Sequence, residues 1–223
     1  MSDPSLLTAP EARVLGCLIE KEITTPEYYP MSLNAVVAAG NQRSNRDPVV
    51  EWDDAVVEAA LDGLRRKRLA VMIHLSGSRV PKYKHALDAV YGSLDPSMVA
   101  VLCELLVRNL QTPAELRTRT ERLQSIQDLG GLEATVQRLA AYSSGGPLVT
   151  ILAPGGGRRV RTIAHLMSGP VDESTIASSP LAAAAIIPPP ADWKESMEAE
   201  IATLKAEVAV LRETVDKLKV LLD

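Results

Sequence analysis

The side chains best suited to chemistry in this chain are amides and cations gathered in three short stretches. Residues 41–46 bring together Asn41, Gln42, Arg43, Asn45 and Arg46. These types can bond phosphate oxygens or base edges. Arg79, Lys82 and Lys84 form a second stretch, and Arg158, Arg159 and Arg161 a third, each beside a glycine-containing turn. Cations repeated in this way suit a long polyanion such as double-stranded DNA. Each stretch also has a plainer explanation. The 41–46 loop could bridge elements, with Asn and Arg satisfying buried backbone groups. The turn cations could be the solvated face of a two-stranded ribbon. Arg65-Arg66-Lys67-Arg68 ends a helical pattern, where the helix dipole favours cations.

Enzyme chemistry finds no such footing, and we expect no catalytic residue, metal or cofactor. His74, His85 and His165 sit on or beside extended segments, without Cys or carboxylate partners at metal-ligand spacing. Gly155-Gly156-Gly157 is followed by Arg158-Arg159, not by the Lys-Ser/Thr of a phosphate-binding loop. No Gly-x-Ser-x-Gly elbow is present. Cys17 and Cys103 both fall in apolar helical patterns and read as small buried residues in a reducing compartment. The net charge of −4 gives no global pull toward polyanions. The N-terminus lacks a basic, apolar leader, and the apolar run 181–187 is too short to span a bilayer. These features lead us to expect a cytoplasmic protein without membrane contact.

The elements that must position these side chains come in duplicate. Residues 12–26 lie over 99–113 without a gap, matching Val14 with Val101, Leu18 with Leu105 and Thr25-Pro26 with Thr112-Pro113. Residues 56–64 lie over 131–139 in the same way. In the first half, Thr8 and Glu11 form a capping box before Leu15, Leu18, Ile19 and Ile23 at helical spacing. Ser32 caps a second helix that Gly40 stops. Asp53 caps a third, with Val57, Ala60, Leu61 and Leu64 on its inner face. Extended segments 70–75 and 80–85 then flank a turn. The second half repeats the plan. Thr112 and Glu115 box its second helix, Leu132, Thr135, Val136 and Leu139 line its third, and 148–152 and 159–164 are its strands.

Three helices followed by a hairpin is the plan of a winged helix-turn-helix domain. We therefore expect a mainly α fold with small β-hairpins (α+β): two tandem winged helix-turn-helix domains, 1–91 and 92–167. A Pro/Ser/Ala-rich linker follows at 168–192, then a coiled-coil helix at 193–223. In that helix Met197, Ile201, Leu204, Val208, Leu211, Val215, Leu218 and Leu222 keep an a/d heptad register. The β-branched residues at most a positions favour a parallel homodimer, and folding of this helix back onto its own body is the alternative. The stretches LTAPEARVLGCLIEKEITTPEYYP, NQRSNRDPV, GSRVPKYKH and QTPAELRTRTERL resemble the bacterial YceH-like family. The resemblance implies tandem winged helices in a cytoplasmic bacterial protein, and no assigned activity.

Two functions fit this architecture, and fold-level analogy favours the first. One is a DNA-binding, transcription- or chromosome-associated regulator dimerised by its tail. The other is a winged-helix scaffold that binds an unidentified protein partner without DNA. The third helix of the first half begins Glu51-Trp52-Asp53-Asp54, with Glu58 one turn on. In a helix-turn-helix that end faces the bases, where carboxylates repel phosphate.

Overall fold

Local signals set the helix boundaries. The computed structural model describes residues 6–74, 80–92, 94–155 and 159–171. Helix α1 (Ala9–Thr24) opens on the complete Thr8/Glu11 capping box, and α3 (Asp54–Arg66) on the Asp53 side chain. Between them lie a 3-10 turn (Pro26–Tyr28) and α2 (Leu33–Gly40), capped by Ser32. Strands β1 (Ala70–Ile73) and β2 (Lys82–His85) pair antiparallel, and Met31 bridges to Tyr83 as a third, single-residue rung. A one-turn helix, α4 (Asp88–Tyr91), leads into the second repeat.

That repeat comprises α5 (Pro96–Arg108), α6 (Pro113–Thr120), α7 (Leu129–Ala140), β3 (Val149–Leu152) and β4 (Thr162–His165). Its hairpin is antiparallel, and Gln111 bridges to Ile163 as Met31 does to Tyr83. Among the described residues the fold is therefore mixed α and β, with helices dominant and two small antiparallel sheets. The expected strand cores are present but shorter than the segments read from pattern. Arg79, Arg158 and all eight heptad residues lie outside the described residues.

The ungapped repeat alignment needs one correction. It matched Thr25-Pro26 with Thr112-Pro113. Thr112 caps α6, whereas Thr25-Pro26 opens the 3-10 turn and Ser32 does the capping of α2. The first repeat thus carries an insertion ahead of its second helix. Ile23, the last residue of the α1 stripe, is 37% exposed at the end of that helix.

The repeats share one core inside one compact unit. α1 packs against α3 within its own repeat and against α5 of the other. Val14, Leu15, Leu18 and Ile19 on α1, and Val101, Leu102, Leu105 and Leu106 on α5, are at most 2% exposed. The helices approach closely because Gly16 has no side chain. A Cβ there would lie 2.7 Å from Val107 Cγ1 and 2.9 Å from Leu106 Cβ. The Cys103 thiol donates to the Gly16 carbonyl at 3.3 Å across this contact. Both cysteines are buried and free, and burial pushes the Cys17 thiol up to about 11.

Candidate functional site

The 41–48 loop leaves α2 and runs to the α1–α5 contact, where most of its polar groups find partners. The Asn41 side-chain amide brackets Trp52, donating to its carbonyl at 2.8 Å and accepting from its N–H at 2.9 Å. Arg46 turns fully inward. It donates to Glu20 of α1 at 2.5 and 3.1 Å, to the Ala39 carbonyl at 2.9 Å and to the Asn45 carbonyl at 2.8 Å. Asn45 accepts from Arg108 at the end of α5. The Asp47 N–H donates to the Val107 carbonyl at 3.1 Å, and the Asn109 amide donates to the Asp47 carbonyl at 3.3 Å. The loop is a strap from the first repeat to the second.

Beneath the strap lies a buried charged seam. Glu20 and Glu104 point into it from α1 and α5, their side chains 2% and 0% exposed. Arg122, just past α6, reaches both, at 2.7 Å to Glu20 and 2.6 Å to Glu104. Arg108 Nε lies 3.2 Å from the other Glu104 oxygen. Burial works to raise the Glu20 pKa, but Arg46 and Arg122 outweigh it and hold it below the usual carboxylate range. For Glu104 burial wins over Arg122 and Arg108, and its pKa is raised.

Arg46 is thus corrected from a candidate nucleic-acid contact to a buried structural cation, since its side chain is 0% exposed. Asn41 is half-buried against Trp52, and Asn45 is exposed with its Oδ1 accepting from Arg108. Gln42 is half-buried, and Arg43 is exposed. On the hairpins Lys84 and Arg159 are exposed and Lys82 is half-buried, while Arg161 is exposed but pairs with Glu133 of α7. The outer face of α3 presents Asp54 and Glu58, with Asp53 at its cap.

The histidines have separate fates. His74 is exposed. His85 Nε2 lies 2.6 Å from the Glu22 carboxylate. The His165 Nδ1 is buried without a partner, and burial pulls its pKa down to about 4, so the ring is neutral at pH 7. Among the described residues no three His, Cys, Asp or Glu side chains gather as a metal site. No described helix is long and apolar enough to cross a membrane.

Asn41→Ala tests the strap. It leaves two backbone groups of Trp52 without partners, and should lower stability in urea unfolding by about 1–3 kcal/mol. Unchanged stability would mean the loop is held by its other bonds alone.

Residues 7–158 match a family described as a protein of unknown function, DUF480. The chain belongs to this family. A UPF0502 protein of Pelobacter propionicus is 48% identical over 96% of this chain and 97% of its own length. Another, from Aeromonas hydrophila, is 43% identical over 94% and 96%. A third, from Geobacter sulfurreducens, is 44% identical over 92% and 90%. The DUF480 match covers the first repeat from Leu7 and the second repeat up to the turn before β4, with the strap and seam that join them.

Proposed function

We propose that this DUF480 protein is a non-enzymatic, tandem winged-helix scaffold that binds a protein partner and dimerises through the heptads of residues 193–223. The observation that carries this reading is the acidic outer face of α3, with Asp53, Asp54 and Glu58 where a DNA reader needs cations. The loop adds to it: Asn41 holds Trp52 and Arg46 holds Glu20 within the first repeat, and Asn45 accepts from Arg108 of the second. Helix–bridge–helix–helix–hairpin, twice, is the order of elements a winged helix requires.

DNA binding, the first expectation from the sequence, becomes the second reading, favoured by one observation: exposed Lys84 and Arg159 lie on or beside the two hairpins. Anisotropy of labelled mixed-sequence duplex, titrated with the full chain across salt, separates the two. The scaffold reading expects no binding at physiological salt and no steep salt slope. Tight, salt-sensitive binding that weakens on Lys82→Ala, Lys84→Ala and Arg159→Ala would replace it with the DNA reading.

A further inference from the structure

The two repeats differ at one place that matters for recognition. In the second repeat a groove of about 130 Å³ opens between α7 and the β3–β4 hairpin. Its floor is Leu132, Val136, Ile151 and Ile163, and Glu133, Gln137 and Arg161 stand at its rim. In the first repeat a buried tyrosine stands at the matching place. The single-residue bridges make Tyr83 the counterpart of Ile163, and the strand registers make Met72 the counterpart of Ile151. Tyr83 is 6% exposed, and its hydroxyl lies within the field of Glu58, Arg65 and Asp62 of α3. Glu58 and Asp62 are the repeat counterparts of Glu133 and Gln137. Exchanging a tyrosine for an isoleucine therefore leaves the second groove short of one aromatic ring. An apolar cavity of roughly 150 Å³ is enough to hold benzene.

Among the described residues one ring stands out in solvent. Tyr28, on the 3-10 turn, is 76% exposed, the most exposed of the large apolar side chains described. It does not fill the groove of its own chain. Beside it Glu27 is exposed, and exposed Arg161 stands at the groove's rim. The charges are complementary. Arg161 pairs with Glu133 in the free protein, and an exposed pair of this kind is exchanged for another at little cost. At the rim Glu133 can accept from a phenol O–H, and Gln137 can donate to its oxygen.

We propose that the α7–hairpin groove is a self-association site that receives Tyr28 of a second copy of this chain, with Glu27 of that copy on Arg161. If two copies exchange the contact reciprocally, a two-fold dimer closes. This inference does not depend on which macromolecule the winged helices meet, nor on the heptad tail.

Sedimentation equilibrium of the full chain tests it. Tyr28→Ala should weaken self-association about tenfold, as loss of a buried aromatic anchor does. Ile163→Tyr refills the groove from within, as Tyr83 does in the first repeat, and should weaken it about equally while the thermal unfolding midpoint holds or rises. Glu27→Arg and Arg161→Glu should each weaken association, and the double variant should restore it, which a merely structural role would not do. Self-association unchanged by Tyr28→Ala or by Ile163→Tyr overturns the proposal. So does association lost only on deletion of residues 193–223. N-acetyltyrosinamide could instead shift the Ile151 and Ile163 methyl resonances while those variants leave association unchanged. The groove would then take a foreign tyrosine, and self-docking falls.

Discussion

Glu20→Gln is expected to cost the protein about 3–5 kcal/mol of folding stability, the range seen when one member of a buried ion pair is removed. Glu20 is the hub of the seam. It faces Arg46 at 2.5 Å and Arg122 at 2.7 Å, and Arg46 has no solvent to turn to. Taking away the carboxylate leaves a guanidinium desolvated and uncompensated. Replacing both partners, as in Glu20→Leu with Arg46→Met, should recover most of the loss, because the penalty belongs to the orphaned charge and not to the absence of a pair. Urea titration of the three proteins decides this. A single variant no worse than the double would show that water reaches the seam.

Acid sharpens the same test. The pKa of Glu20 is depressed in the folded state, so its stabilisation is present above the ordinary carboxylate pKa and is lost as pH falls through the folded value. The Glu104 pKa is raised, so its ionisation opposes folding instead. Glu20→Gln should flatten the acid limb of the stability curve. Glu104→Gln should cost less at pH 7 than Glu20→Gln, although both carboxylates touch Arg122.

The second large effect is expected at Gly16. An alanine Cβ would fall 2.7 Å from Val107 Cγ1 and 2.9 Å from Leu106 Cβ, inside any real contact distance. Forcing a methyl group into a packed core costs about 1–3 kcal/mol. The better helix propensity of alanine returns at most about 1 kcal/mol. Gly16→Ala should therefore destabilise, and Gly16→Leu should do so further, by prising α1 from α5. Val107→Ala would relieve only part of the strain, because the Leu106 Cβ cannot be trimmed away. Gly40→Ala is the control: its nearest neighbour would be Trp52 at 3.8 Å, an ordinary contact. Thermal unfolding of these variants gives the ranking, and equal midpoints for Gly16→Ala and Gly40→Ala would refute the close approach.

What could be read in advance was what neighbours in sequence decide. Thr8 with Glu11, and Thr112 with Glu115, close capping boxes three residues wide, and both are found intact. Val57, Ala60, Leu61 and Leu64 mark a face, and that face is buried. The fate of the 41–46 loop depended on a carboxylate more than twenty residues away, inside a helix. Polarity alone made Arg46 look like a phosphate ligand, although a bridging role for the loop was also open. One signal pointed to the seam. Glu20 lies over Val107 in the repeat alignment, and Glu104 lies over Cys17. A carboxylate on a helical face where the other copy has an apolar residue marks a place that differs by design, and both proved to be at the junction. The groove in the second repeat was just as hidden. It needed the hairpin registers, which pair Tyr83 with Met72 and Ile163 with Ile151.

The strap and the seam have a consequence for autonomy. A small duplicated domain ordinarily folds alone, and duplication ordinarily yields two modules that can be separated. Here a chain cut near residue 91 would bare the apolar face of α1 and strand Arg46 and Glu20 beside it without Arg122. The other fragment would keep Glu104 with no α1 to roof it. Neither offspring of the duplication has kept its independence. We expect them to unfold together, as a single transition in urea titration.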